Sequence, residues 1–362
     1  MEGDMTQIRR WLKPLSWFYG LGVDARNALF DMGVLHSVSY DIPIINVGNI
    51  TVGGTGKTPT VEYLIQLLSG RYRVAVLSRG YKRKTKGYLL SSSSTTMEEI
   101  GDEPWQIKQK FPDVYVAVDA DRRRGIERLM QDEATKDVEV ILLDDAYQHR
   151  YVKAGHNILL VDYHRIISDD CLLPAGRLRE RASASTRAST VIVTKCPQHI
   201  NAMGFRVILS SLNIRPYQQL FFSTFTYETL QQLWGEGTLE PDMLRKDNIH
   251  VLLLTGIGNP RQMEQDVRKF AQHISPLTFP DHHYFSKRDV ETINQALKDL
   301  PQPHIIITTE KDATRLLYLK GLSEEVKEST YVLPIGISII RNEKDKFDKT
   351  ILDYVQENKR NS

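Results

Sequence analysis

Gly48-Asn-Ile-Thr-Val-Gly-Gly-Thr-Gly-Lys-Thr-Pro59 is the stretch on which the fold turns. It follows the apolar run Ile42–Val47 and precedes a helix-like run, Val61–Leu68. Gly53, Gly54 and Gly56, with Thr55 between them, let backbone N–H groups turn inward around phosphate oxygens. Lys57 then reaches the β- and γ-phosphates of a nucleotide, and the Thr58 hydroxyl holds Mg²⁺. Pro59 falls in the first helical turn, where its missing N–H costs nothing. The usual pattern opens with glycine where this chain has Thr51, so the match is to a Gly-Gly-Thr-Gly-Lys-Thr variant. A glycine-rich turn with a chance Lys-Thr is the plain alternative. The strand–loop–helix setting favours a phosphate-binding loop.

Outward from the loop, short apolar runs alternate with helix-like stretches as far as about residue 195. The runs are Ile42–Val47, Val74–Leu77, Val114–Val118, Val138–Leu143, Ile158–Val161 and Val191–Val193. They are rich in Val, Ile and Leu without strict alternation, as parallel strands buried on both faces are. The expected fold class is therefore α/β, a P-loop NTPase-like α/β/α sandwich. Val138-Glu-Val-Ile-Leu-Leu-Asp-Asp145 places Asp144 and Asp145 at the carboxyl edge of that sheet, where ligands bind in such folds. One of the two carboxylates is expected to take Mg²⁺. Between about 206 and 247 the rhythm breaks, and Gln218–Tyr227 mixes aromatics with threonines, which suggests a β-ribbon linker. The alternation restarts at His250–Leu254 and closes with an amphipathic helix near Lys344–Glu357. The expected division is an N-terminal amphipathic docking segment over 1–30, a P-loop domain over 31–205, a linker over 206–247, and a second, smaller α/β domain over 248–362.

The 362 residues carry 47 basic and 45 acidic side chains, a formal net charge of +2, so composition gives no argument for nucleic-acid binding. Two cysteines, Cys171 and Cys196, have no metal-ligand spacing and fit a reducing compartment. No apolar run reaches the ~18 residues that span a bilayer. The opening Met1-Glu-Gly-Asp lacks signal-peptide order. A cytoplasmic protein with at most peripheral membrane contact is expected. That contact is assigned to Ile8-Arg-Arg-Trp-Leu-Lys-Pro-Leu-Ser-Trp-Phe-Tyr19, where aromatics stand beside Lys and Arg as in interfacial helices. Pro14 is expected to split it into two short pieces. Packing of these aromatics onto the first domain is the alternative.

Among P-loop classes, a GTPase needs a base reader that is absent, since Thr194-Lys195-Cys196-Pro197 has Pro where the reading Asp belongs. Partition-type ATPases carry a signature lysine where this chain has Val52. The chain does resemble the tetraacyldisaccharide 4′-kinase family, the lipid A kinases of Gram-negative inner membranes. The matching segments are Gly48-Asn49, Gly53-Gly-Thr-Gly-Lys-Thr-Pro59, Leu77-Ser-Arg-Gly-Tyr81, Gly101-Asp-Glu-Pro104 and Asp144-Asp-Ala-Tyr-Gln-His149. They continue, in family order, with Leu173-Pro-Ala-Gly176, Leu178-Arg-Glu180, Val193-Thr-Lys195, Thr255-Gly-Ile-Gly-Asn-Pro260, Asp281-His282 and Thr309-Glu-Lys-Asp312. Ala146-Tyr147 replaces the more usual Gly-Phe, and Arg177 stands where Pro is common.

The resemblance implies an ATP- and Mg²⁺-dependent transfer of phosphate to a tetraacylated glucosamine disaccharide 1-phosphate on the cytoplasmic face of the inner membrane. It implies two α/β/α domains joined by a β-ribbon, with the active site in the cleft. It assigns Asp102 as catalytic base, supported by His282, with Lys57 on the phosphates. Glu103 is expected to help place Mg²⁺ or the acceptor hydroxyl. Acids at a helix start are also ordinary dipole partners, and His283 stands beside His282. Arg79, Arg122, Arg123 and Arg179 suit phosphate clamping, and Gln148 and His149 are candidates to touch phosphate or substrate. No nucleic-acid partner is expected, and protein partners are not legible. The competing reading is a P-loop ATPase that works as an assembly or switch protein.

Overall fold

The computed structural model describes residues 8–360 apart from Asn259, His282 and Tyr284. The chain forms two compact units, one running to Phe225 and resuming at Ile337, the other Thr226–Gly336.

In the first unit, α1 (Lys13–Asp31) leads to β1 (Ile44–Gly48), α2 (Lys57–Ser69), β2 (Val74–Ser78), β3 (Leu89–Leu90) and α3 (Met97–Ile100). Next come α4 (Asp102–Lys110), β4 (Tyr115–Val118), α5 (Arg122–Gln131), β5 (Val140–Asp144), β6 (His156–Asp162) and β7 (Thr190–Thr194). Then α6 (Ala202–Leu212) precedes β8 (Gln219–Tyr227), on which the chain leaves the unit. The second unit holds β9 (Leu230–Gln232), β10 (Thr238–Leu239), α7 (Met243–Lys246), β11 (His250–Thr255), α8 (Pro260–Val267) and β12 (His273–Thr278). It continues with α9 (Lys287–Lys298), β13 (His304–Thr309), α10 (Glu310–Leu316), α11 (Glu324–Ser329) and β14 (Thr330–Leu333). The chain returns on β15 (Ile335–Ile339) and finishes in α12 (Lys344–Arg360).

The first sheet has the order β15-β8-β7-β6-β1-β5-β2-β4-β3. From β8 to β4 the neighbours run parallel, and β3 pairs antiparallel at the edge. Val47 lies opposite Asp144 and Gly48 opposite Leu159. After β1 the chain builds towards β2, and after β5 it crosses β1 to reach β6. That reversal creates the crevice at strand carboxyl ends where ligands settle in open α/β sheets. Strands β1, β2, β5 and β7 are buried throughout, which explains their unbroken apolar runs. The second sheet, β10-β9-β14-β13-β11-β12, is parallel from β14 to β12, with β9 antiparallel to both β14 and β10.

The division differs from the sequence reading in three places. Residues assigned to the linker are shared out, because α6 and β8 complete the first unit and the β9–β10 ribbon extends the second sheet. The stretch from Ile337 does not belong with 248–336. Phe347, Ile351 and Val355 are wholly buried against Ile45, Leu64 and Phe221 of the first unit. Lastly, the N-terminal segment is a 3₁₀ turn, Arg10–Leu12, running directly into α1 rather than two short pieces, and α1 is not interrupted by Pro14. It sits at the start of α1, where no helical N–H is needed, and a 19-residue helix follows. Among the described residues no helix is long and apolar enough to cross a membrane.

Candidate active site

The loop after β1 is braced on both flanks. Asn49, fully buried, donates from Nδ2 to Thr55 Oγ1 at 2.6 Å, and Thr194 Oγ1 donates to the Thr55 carbonyl at 2.9 Å. On the other side Val52 N donates to Arg177 O at 2.8 Å and Arg179 N to Ile50 O at 2.7 Å. Gly53 and Gly56 take φ of 111° and 84°, backbone that L side chains rarely adopt. A Cβ at Gly53 would meet no protein atom within 4 Å, so packing against the chain does not explain that glycine. Left-handed glycines leading into the N-terminus of α2 are a backbone arrangement suited to phosphate.

Lys57 opens α2 and lies 3.7 Å from Asp145 Oδ1. Arg179 Nη1 donates to both oxygens of Asp145, at 3.1 and 3.2 Å. Asp145 itself has φ of 49°, an uncommon value for a residue with a side chain. Its neighbour Asp144 is 4% exposed and accepts from Ser78 Oγ at 3.2 Å.

The two carboxyls are driven apart electrostatically. Burial, then the charges of Glu103 and Asp145, push Asp144 up to about 7. Burial also acts to raise Asp145, but Lys57, Arg179 and Arg122 outweigh it and its pKa falls. Repulsion of this kind is relieved by a hard divalent cation, and Asp144 and Asp145 offer it oxygen donors, with the charge of Glu103 felt at Asp144. Among the described residues no cluster of three His, Cys, Asp or Glu side chains forms a cage. Carboxylate oxygens suit Mg²⁺, an ion that keeps waters and phosphate oxygens in its shell.

Asp102 and Glu103 open α4 directly after Gly101, both half-buried. Glu103 is near enough to raise Asp144 through its charge. Of the arginines, Arg79 is exposed just past β2 and makes no hydrogen bond or ion pair among the described residues. Arg179 holds Asp145 as above. Arg122 is 2% exposed, donates to Asp119 O at 2.6 Å and to Asp144 O at 3.4 Å, and so braces the strand end from beneath. Arg123 folds back on Asp121, the N-cap of α5, at 3.2 Å and lies over the Tyr151 ring. Gln148 donates to Asn49 O at 2.7 Å and accepts from Arg179 at 3.4 Å, tying the Asp145 turn to the loop. Burial, then nearby Arg122, lowers His149 to about 4, so it is neutral at pH 7.

In the second unit, His282 lies outside the described residues. His283 bonds Asp289 at 2.9 Å and stacks on Phe279, which is packing. Asp312 accepts from Gly256 N at 2.8 Å and Thr309 Oγ1 at 2.8 Å, so the motifs Thr255–Pro260 and Thr309–Asp312 meet on that carboxylate. Sequence reasoning gave no individual role to Ser78 or Thr194, which lie within matched segments, or to the pair of buried Glu180 with half-buried Arg187. Ser78 and Thr194 do end buried strands, and that position was the available signal.

A family model described as tetraacyldisaccharide-1-P 4′-kinase matches residues 8–356. A tetraacyldisaccharide 4′-kinase of Phocaeicola vulgatus is 51% identical over 364 residues, covering 100% of this chain and 99% of that one. Another, from Bacteroides thetaiotaomicron, is 49% identical over 370 residues, covering 100% and 97%. Among solved structures, LpxK of Aquifex aeolicus, described as an "apo" form in complex with ATP, is similar with a TM-score of 0.74 and 29% identity. That match covers 96% of this chain and 99% of the other.

Proposed function

This chain belongs to the tetraacyldisaccharide-1-P 4′-kinase family, and from that premise we propose how its own residues divide the reaction. The protein transfers the γ-phosphate of ATP to the 4′-hydroxyl of a tetraacyl glucosamine disaccharide 1-phosphate, a step of lipid A synthesis, with ATP and Mg²⁺ as cofactors. The assembly-ATPase alternative is not favoured.

Amides from Gly53 to Thr58 hold the β- and γ-phosphates, and Lys57 neutralises the oxygen that bridges them. Thr58, Asp144 and Asp145, with Glu103 alongside, would hold Mg²⁺, which would supply positive charge to offset that of the phosphates. Asp102 removes the proton of the 4′-hydroxyl as its oxygen bonds the γ-phosphorus and the bond to the bridging oxygen breaks, releasing ADP. His282 is proposed as the imidazole that shares this proton, on the strength of the Asp281-His282 motif alone. Arg179 and Gln148 hold the Asp145 turn, while Arg79 is the arginine most available to an anionic substrate. The observation that best supports this division is Asp145, next to buried Asp144, held 3.7 Å from Lys57 and bonded through both oxygens by Arg179.

The finer placement at the cytoplasmic face of the inner membrane is supported by α1. The outward face of α1 carries Leu15, Trp17 (62% exposed), Phe18 (64%) and Leu21, and the 3₁₀ turn just before it, Arg10–Leu12, adds Trp11 (77%), beside exposed Arg9, Arg10 and Lys13. Cationic and aromatic side chains together suit an anionic bilayer surface rather than a protein partner. The test is incubation with γ-labelled ATP and detergent-dispersed disaccharide lipid. Label on the lipid is expected, with Asp102→Ala lowering kcat by roughly 10²–10⁴-fold at nearly unchanged ATP affinity. Release of free phosphate alone would favour the assembly ATPase.

A further inference from the structure

The inner face of α1 is joined to the catalytic edge by polar contacts. Tyr19 Oη donates to the Arg179 carbonyl at 2.9 Å, and Arg26 Nη2 to the Gln148 carbonyl at 3.1 Å. Asn27 Nδ2 donates to Glu180 Oε2 at 3.0 Å. Glu180 is buried and paired with Arg187 at 2.9 Å, and Arg187 also donates to the Tyr147 carbonyl at 3.3 Å. Nearer the start of the helix, Ser16 Oγ accepts from Ala175 N at 2.9 Å. Gly20 comes so close to the protein that a Cβ would stand 2.7 Å from Leu172 Cδ1. Segments 147–148 and 179–180 therefore each carry a group held by α1, and Arg179, which also donates to Gln148 Oε1, holds Asp145.

We propose that α1 is a strut through which a bilayer on its outer face firms the catalytic edge, with Tyr19 and Arg26 as positioning residues for Arg179 and Gln148. The bilayer signal rests on the docking reading above; the positioning rests on the hydrogen bonds alone. Each bond is a modest one, and those of Tyr19 and of Arg181 with Asp24 are exposed, so α1 belongs to the easily opened part of the unit. A surface that binds only the seated helix shifts that local equilibrium towards the seated state. Unseating removes the donors that hold the Arg179 and Gln148 carbonyls, and so loosens the Arg179 guanidinium that donates to both oxygens of Asp145.

The test compares Tyr19→Phe/Arg26→Ala with Tyr19→Phe/Arg26→Lys in the full chain. The first should lose about tenfold in kcat with the ATP KM within about twofold, and the second should recover most of the loss, since Lys still reaches a carbonyl. In parallel, hydrogen exchange over residues 145–150 and 177–181 is read with and without phosphatidylethanolamine/phosphatidylglycerol vesicles. Wild type should slow severalfold on the vesicles and the Arg26→Ala double variant should not. Unchanged kcat, an equal loss of kcat and ATP affinity, or no recovery with lysine would overturn the positioning. Co-sedimentation is scored separately. Binding without slowed exchange overturns the strut, whereas no binding overturns the docking reading and leaves the kinetic arm to decide the positioning.

Discussion

Helices α1 and α12 both pack on the first unit, and they are amphipathic in opposite senses. In α12 the apolar residues Phe347, Ile351 and Val355 face inward at full burial, while Lys346, Lys349, Asp353 and Glu357 face water. In α1 and the turn before it the inward positions are Leu12, Ser16, Gly20 and Phe30, supplemented by Arg26 and Asn27, while Trp11, Leu15, Trp17, Phe18 and Leu21 face outward. A surface helix of a globular domain normally buries its apolar stripe, and α12 obeys. A contiguous exposed apolar face marks an interaction site. One helix therefore serves the stability of the unit, and the other serves what the unit touches.

The largest effect that would break this contrast is on stability. Phe347→Ala should cost about 3–5 kcal/mol, because it empties a fully buried site beside Phe221 and Tyr63. Chemical denaturation measures it, and a cost below about 1 kcal/mol would mean that α12 is not core. Trp17→Ser/Phe18→Ser should leave unfolding within about 0.5 kcal/mol per site yet weaken co-sedimentation with anionic vesicles at least about tenfold, since two interfacial aromatics are lost. A stability loss matching that of Phe347→Ala would return α1 to the ordinary class. Smaller still, Arg10→Gln or Lys13→Gln should each weaken vesicle binding by about 1 kcal/mol, an effect that fades as salt rises. Salt-independent binding would remove the charge from the account.

These two helices also show what the sequence could and could not disclose. The hydrophobic period around Phe347, Ile351 and Val355 announces a helix with a buried face, but a period carries no address. It could not say that the face returns to the first sheet rather than covering the second. For α1 the composition disclosed the aromatic and cationic face, whereas Pro14 misled because its meaning depends on which helical position it occupies. The β-strands and the loop were legible because parallel strands buried on both sides must be continuously apolar and a phosphate cradle needs Gly53 and Gly56. Side chains such as Arg122 and Arg123 were not. A cation at a strand end reads the same whether it clamps a phosphate or, as Arg123 does, closes on the cap of its own helix. The Asn49–Thr55 and Thr194–Thr55 bonds join residues whose proximity only the folded sheet creates.

The most direct measurement on the central claim is diffraction from crystals soaked with a non-hydrolysable ATP analogue and Mg²⁺. The triphosphate should lie against the amides of residues 53–58, with the metal density beside Thr58 and Asp144–Asp145. A nucleotide bound at any other strand end, with this loop making no phosphate contact, would contradict the assignment.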